Sequence, residues 1–311
     1  MNKRVDIVIP VYRPDKRFIP LLKRLSRQSI RPQRIILINT EKKIWDEAGI
    51  EDRLKEEGLE GLCRVHHITK AEFDHGRSRN LGVGFSDTEY FICMTQDALP
   101  YDELLIEHLL RHLDEEIKLV YARQIPYDNA GLIESFTRSY NYPEQSAVKS
   151  AKDREKYGIK LYFASNVCAA YERSFFDEAG GFEGDLVLNE DMLFAKKVLD
   201  SGKKIRYEAE AKVLHSHRYS GMEQVKRNFD IGSSHAAHPE VFGELKSEGE
   251  GMRLVRSTAS YLLSNKAPLR IIELIYISAC KYIGYRLGKS CRLLPKALCR
   301  RLGSNQSYWE K

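Results

Sequence analysis

The chain has 311 residues, with 50 Lys and Arg against 44 Asp and Glu, for a formal net charge of +6 with its nine histidines neutral. At 42% hydrophobic and 30% charged it can bury a sizeable core, which excludes a disordered or fibrous chain. Its length suits two domains, or one α/β domain with an appendage, at roughly 150 residues per domain. The positive excess is mild, and over residues 1–260 it is interleaved with acids and lacks any aromatic-basic stacking motif, so no nucleic-acid partner is expected. Cys63, Cys93, Cys168, Cys280, Cys291 and Cys299 form no Cys-x-x-Cys pair, and several sit in apolar runs, as expected of reduced thiols in a cytosolic protein. Met1-Asn2-Lys3-Arg4 leads into a run too soon broken by Pro10 to be a secretory signal. No stretch approaches the ~18 uninterrupted apolar residues of a membrane span.

In chain order, Val5 to Val11 reads as a buried strand, Phe18 to Ser29 as a helix with Leu21, Leu22 and Leu25 on one face, and Arg34 to Asn39 as a second strand. Residues 46–61 read as a charged surface helix, Val65 to Ile68 as a strand, Gly76 to Ser86 as a helix and Phe91 to Met94 as a wholly apolar strand. Tyr101 to Leu113 reads as a helix. Leu119 to Ala122 and Phe163 to Ala170 are expected strands, Glu190 to Ser201 a helix, Lys212 to His215 a strand, and the pattern from about 222 onward is mostly helical. Strands alternating with helices predict an α/β chain with a mostly parallel sheet. In such a sheet ligands bind beyond the carboxyl ends of the strands, here Pro10-Val11-Tyr12, Asn39-Thr40-Glu41 and Thr95-Gln96-Asp97.

Gly82-Val83-Gly84 is not a dinucleotide fingerprint, because position 87 is Asp and the pair follows a helix; no P-loop occurs either. Asp97, directly after an apolar strand, suits a hard divalent cation bridging a diphosphate, or else caps the following helix. Asn189-Glu190-Asp191 supplies carboxylates at a helix start, where the dipole alone favours them. His215 and His217 lie on one side of an extended segment, as metal or phosphate ligands or as exposed polar residues.

Taken together these segments resemble the family-two inverting glycosyltransferases of GT-A fold over about residues 3–220. Phe73-Asp74-His75-Gly76-Arg77-Ser78-Arg79-Asn80, Thr95-Gln96-Asp97-Ala98-Leu99-Pro100 and His215-Ser216-His217 resemble bacterial rhamnosyltransferases in particular. So do Lys281-Tyr282-Ile283-Gly284-Tyr285-Arg286-Leu287-Gly288 and Ser307-Tyr308-Trp309. The resemblance implies a mixed, mostly parallel sheet over 1–220 flanked by helices, with a basic helical extension over 221–311. It implies a donor such as dTDP-rhamnose or another dTDP- or UDP-sugar, an acceptor that is a cell-surface glycan or its lipid-linked precursor, and a divalent Mg²⁺ or Mn²⁺ ion. By position, Asp191 is the implied catalytic base. Pro10, Val11, Tyr12, Asn39, Thr40, Arg77, Arg79, Gln96 and Asp97 are implied at the nucleotide sugar, and Asp97, His215 and His217 at the metal. Asn166, Glu190 and the Gly180-Gly181-Phe182 loop, hence Gly181 and Phe182, are expected to contact the acceptor, glycine allowing close approach of backbone to a sugar. Two departures stand out: Thr95 replaces the first Asp of Asp-x-Asp, and Asn39-Thr40-Glu41 stands where a base-reading Asp is usual. The first keeps open a catalytically weak or dead binding protein of the same fold.

From Lys281 to Arg301 seven basic residues (Lys281, Arg286, Lys289, Arg292, Lys296, Arg300, Arg301) alternate with apolar ones and no acid intervenes. The expectation is peripheral attachment to the anionic inner face of the cell membrane, the alternative being packing on the catalytic domain or a homo-oligomer interface.

Overall fold

The computed structural model describes residues 3–243, 247–305 and 308–309. Ser307, in the segment likened above to rhamnosyltransferases, lies outside these residues, as do Met1 and Asn2. Nine strands among the described residues form one sheet: β1 (Val5–Val11), β2 (Ile35–Thr40), β3 (Cys63–Ile68), β4 (Tyr90–Met94), β5 (Leu99–Pro100), β6 (Ile117–Ile125), β7 (Ala147–Lys149), β8 (Cys168–Glu172) and β9 (Lys204–Leu214). Their order is β3-β2-β1-β4-β8-β6-β9-β5, with β7 also on β9. β1 to β4 pair in parallel, and β6 pairs in parallel with β9. β8 runs antiparallel to both β4 and β6, so the sheet is mixed.

The helices are α1 (Phe18–Ser26), α2 (Lys42–Glu47), α3 (Ile50–Glu56), α4 (His75–Gly84), α5 (Leu105–Arg111), α6 (Leu132–Asn141), α7 (Arg154–Tyr157), α8 (Arg173–Glu178) and α9 (Glu190–Asp200), followed by α10 (Gly221–Ala237), α11 (Pro239–Phe242), α12 (Ser247–Ser264), α13 (Arg270–Lys289) and α14 (Lys296–Leu302). Both sheet faces are covered, which is why β2 is buried at every position and apolar from Ile35 to Ile38. Val5, Ile7 and Ile9 point to the layer of α1, α5 and Trp45, while Val8 joins Ile36, Ile38 and Phe91 beneath α4, α8 and α9. Gly82 lets α4 lie against β1: a Cβ there would come within 2.4 Å of Val8 Cγ1.

Three expected elements differ. The helix over 46–61 is two, α2 and α3, because Gly49 adopts φ +59° between them. The helix expected from Tyr101 starts only at Leu105: Leu99 and Pro100 pair with Leu214 and Val213, and Asp102 Oδ1 accepts from Leu104 N. Asp97 is therefore eight residues short of that helix and is no cap for it. Of the strand expected over Phe163 to Ala170 only Cys168 onward pairs, since Asn166 turns to serve the carboxylates described below.

Beyond β9 the chain is helical. α10 and α13 cross at very short range, where Gly232 faces Tyr285 O, Gly284 faces Val225 O and Gly288 faces Phe229 O, each too close to admit a Cβ. Gly284 and Gly288 of the segment likened to rhamnosyltransferases are thus a helix-crossing device. The six cysteines are free. Among the described residues, no helix is long and apolar enough to cross a membrane.

Candidate active site

The ends of β1 and β4 are clamped by one side chain: Gln96 Oε1 accepts from Tyr12 N at 2.9 Å and Gln96 Nε2 donates to Tyr12 O at 2.8 Å. Beside them Asn39 is buried, its Nδ2 bonded to His67 Nδ1 at 2.9 Å. Asn39 Oδ1 and the hydroxyl of Thr40 are buried with no protein partner. A cavity of about 330 Å³ opens here, lined by Tyr12, Thr40, Lys70, Phe73, His75, Ser304 and Asn305. Arg13 and Glu41, just beyond β1 and β2, hold φ of 49° and 69°. Such backbone persists where the surrounding structure enforces it, commonly at functional edges.

Past Gln96, pairing of β5 with the end of β9 draws Asp97 to the two histidines. Asp97 Oδ2 lies 3.1 Å from His217 Nε2 and 3.6 Å from His215 Nε2, and the two Nε2 atoms are 2.9 Å apart. Burial alone would raise the Asp97 carboxyl, but hydrogen bonds and charge from both imidazoles hold it well below the usual carboxylate range. His215 is almost fully buried, which lowers its imidazole against the pull of Asp97. Its Nδ1 lies 2.9 Å from Gln124 Oε1, which can only accept, so that nitrogen donates and Nε2, on the side of Asp97, is the atom that would ligate a metal ion once it has lost its proton. Gln124 is fixed by the hydroxyls of Tyr142 and Ser165 and by Arg138. One carboxylate and two imidazole nitrogens converging within 4.8 Å, with an outer residue orienting one ring, fit a divalent cation.

The second centre lies at the start of α9, where Asn189 holds φ 74°. Asp191 Oδ2 accepts from Asn166 N at 3.0 Å and its Oδ1 from Met192 N at 2.8 Å. Glu190 Oε1 accepts from Asn166 Nδ2 at 3.0 Å and pairs with Arg79 Nη1 at 2.9 Å, both side chains nearly fully buried. Burial and the charge of Glu190 push the Asp191 carboxyl up. Burial works on Glu190 too, but Arg79, His75 and the Asn166 amide outweigh it and leave that carboxyl low. The arrangement divides two adjacent carboxylates into a permanent ion-pair partner and a proton acceptor. Asp191 lines a cleft of about 430 Å³ with His215, His217, Tyr142, Tyr219 and Arg227.

Tyr12 and Thr40 thus line the first cavity, Asp97, His215 and His217 form one cluster, and Asp191 shares the second cleft with the histidines. Several expected residues are placed otherwise. Val11 is buried, and Arg79 is spent on Glu190 and on His75 O at 2.9 Å, beneath rather than in the cavity. Arg77 pairs with Asp185 at the surface. Glu190, Gly181 and Phe182 do not line the cleft. Phe182 packs in an aromatic core with Tyr171, Phe176 and Phe194, because Asn80 bonds its backbone N–H and C=O and fixes the Gly180-Gly181 turn. Asn166 holds both carboxylates rather than facing open space. The reading of the sequence missed Lys70, Phe73, His75, Gln124, Ser304 and Asn305; only Phe73 and His75 lay in a segment already singled out.

The match to known proteins is consistent with this geometry. Residues 6–180 match the model of glycosyl transferase family 2. The chain is 36% identical over 310 residues to the O-antigen chain rhamnosyltransferase RfbN of Salmonella typhimurium, covering 98% of this chain and 96% of that protein. It is 36% identical over 245 residues to the O-antigen chain rhamnosyltransferase WbaN of Salmonella anatum, covering 78% of each. Among solved structures, a mannosyltransferase from Pyrobaculum calidifontis, PcManGT, in complex with GDP-Man and Mn²⁺ superposes with a TM-score of 0.57 at 15% identity, over 99% of this chain and 85% of that one. TarS of S. aureus in complex with UDP-GlcNAc gives 0.53 at 13% identity, over 93% and 92%. These likenesses show a shared GT-A fold. The chain belongs to glycosyl transferase family 2 and is a glycosyltransferase.

Proposed function

We propose that the chain is an inverting rhamnosyltransferase that takes rhamnose from dTDP-rhamnose and adds it to a hydroxyl of an O-antigen chain or its lipid-linked precursor. The observation that carries this reading is Asp191: a carboxylate raised in proton affinity, held by two backbone N–H groups, and open to the same cleft as the Asp97–His215–His217 cluster. The extended similarity to two rhamnosyltransferases supports the donor sugar.

In this reading the nucleoside sits in the cavity of Tyr12 and Thr40, and the Gln96 clamp sets the distance from there to Asp97. Asp191 takes the proton of the acceptor hydroxyl as its oxygen bonds to the anomeric carbon from the face opposite the diphosphate. The bond from that carbon to the diphosphate oxygen breaks and dTDP leaves. A positioned proton acceptor contributes typically ~10²–10⁴-fold. A Mg²⁺ or Mn²⁺ ion held by Asp97, His215 and His217 would neutralise charge on the diphosphate, and two imidazoles favour Mn²⁺. Glu190 acts as a positioning residue, keeping Arg79 fixed and the Asp191 proton affinity high. The test is transfer itself: purified protein with dTDP-rhamnose and an O-antigen fragment should form rhamnosylated product and dTDP, and Asp191→Asn should not. Turnover with UDP-GlcNAc or GDP-mannose in preference to dTDP-rhamnose would refute the donor assignment.

The same chain would meet a lipid-linked acceptor at the inner face of the cell membrane. Leu269, just before α13, and Ile272, Ile275 and Tyr276 within it are 82, 71, 61 and 59% exposed, with Ile283 further on. Arg286, Lys289, Arg292, Lys296, Arg300 and Arg301 follow, which suits an anionic lipid surface. Lys281 does not join them: it is half-buried, and burial lowers its ammonium.

A further inference from the structure

The cavity at the ends of β1 and β2 has one wall that the catalytic region does not supply. Ser304 and Asn305, far along the chain, line it opposite in origin to Tyr12, Thr40, Lys70, Phe73 and His75. A short polar segment beyond a helix is costly to order unless something holds it. Here a buried carboxylate does so: Asp230 of α10 is 0% exposed and accepts from Ser304 N at 2.8 Å, from the Ser304 hydroxyl and from Trp309 Nε1 at 3.1 Å. Trp309 packs on Phe229 at 5.2 Å between ring centres, and its indole fills the space where a side chain on Gly303 would stand. Those three donors are neutral, so the carboxylate is desolvated in order to hold this one segment. Placing a charge there is expensive, and the position of Ser304–Asn305 is what it secures.

Asn305 has a further property. Its Oδ1 accepts from Tyr308 N at 3.4 Å, which leaves the two N–H groups of its amide, on a residue that lines the cavity, as donors. Tyr12, Phe73 and His75 supply ring surfaces to the same space.

We propose that Asn305, held in place by Asp230 and Trp309, is a base-recognition residue of the donor site, its amide donating to a carbonyl oxygen of a pyrimidine nucleotide. The inference rests on the donor reading above, in which this cavity takes the nucleoside. Asp230 and Trp309 are positioning residues, and the helical region is thereby required for donor binding as well as for any membrane contact.

The test is calorimetric titration of the full-length protein with dTDP, UDP and GDP, each with Mn²⁺. The unaltered protein should bind dTDP and UDP well ahead of GDP. Asn305→Ala should weaken dTDP about tenfold, the order expected for one lost hydrogen bond, and narrow the dTDP-to-GDP ratio correspondingly. Asn305→Asp keeps an oxygen for Tyr308 N but loses the donors. Its added charge repels every diphosphate alike, so its dTDP-to-GDP ratio should fall as in the alanine variant, whereas a purely structural contact with Tyr308 would leave that ratio unchanged. Trp309→Ala should give the same narrowed ratio through a displaced segment. If the unaltered protein binds dTDP but all three variants keep its ratio, Asn305 does not read the base and the inference fails alone. If the unaltered protein binds no pyrimidine diphosphate, the donor reading fails and takes the inference with it.

Discussion

Replacing Glu190 by Gln should change two things at once. The amide is nearly isosteric and still accepts from Asn166 Nδ2, now at 3.0 Å from Glu190 Oε1. What disappears is the charge opposite Arg79, whose Nη1 lies 2.9 Å from Glu190 with both side chains about 5% exposed. Breaking a buried pair from one side strands the remaining charge at about 3–5 kcal/mol. At about 2–3 °C per kcal/mol for a chain of this length, the melting temperature should fall by roughly 6–15 °C. The second effect concerns Asp191, whose proton affinity is raised by burial and then by Glu190. Without that negative charge, and with Arg79 acting on it unopposed, Asp191 becomes a weaker base. A base works unprotonated, so the acid limb of kcat/KM, which should lie above the ordinary carboxylate range in the unaltered enzyme, moves to lower pH. Thermal unfolding and a pH series of rhamnosyl transfer measure the two. The double change Glu190→Gln with Arg79→Met should recover most of the lost stability, because a matched apolar and neutral pair leaves no stranded charge. A melting temperature within 2 °C of the unaltered protein, together with an unmoved acid limb, would refute the division of roles between the two carboxylates.

Asp191→Asn should behave oppositely. It forfeits one of two accepted backbone hydrogen bonds, about 1 kcal/mol, but relieves repulsion from Glu190, so folding should change little while turnover falls ~10²–10⁴-fold; near-normal turnover would remove Asp191 as the base. Asp97→Ala should weaken dTDP binding in the presence of Mn²⁺ and leave binding in a chelator nearly unchanged, by calorimetry; an equal loss in both would make Asp97 only an anchor for His215 and His217. Full-length protein should sediment with anionic vesicles in a salt-sensitive way and Ile272→Asp/Ile275→Asp should not; equal binding by both, or by neither, would remove the membrane proposal.

The positions of these groups were legible in the sequence to the extent that neighbours in the chain determine them. Asp97 follows an apolar strand and Asp191 opens a helix, and both facts can be read from a few residues on either side. Gly49 divides the helix expected over 46–61, but the run of charges around it imitates one helix face. The alternative of Asp97 as a cap fell to a contact no local pattern encodes, the pairing of Leu99 and Pro100 with the end of β9 more than a hundred residues on. Arg79 was assigned to the nucleotide because its motif lies near that site; its burial is set by Glu190, on a different element. Phe182 looked available because glycines precede it, whereas Asn80 turns it into the core. Ser304 and Asn305 carried no local signal, since their place depends on a carboxylate in α10 and an indole beyond them.

The central claim is inverting transfer of rhamnose with Asp191 as base, and the anomeric configuration of the product tests it most directly. NMR of the glycan formed from dTDP-rhamnose should show the new rhamnosidic linkage with configuration opposite to that of the donor, and Asp191→Asn should form it ~10²–10⁴-fold more slowly. A product that retains the donor configuration, or rhamnosyl transfer that persists at the normal rate in Asp191→Asn, would contradict the account.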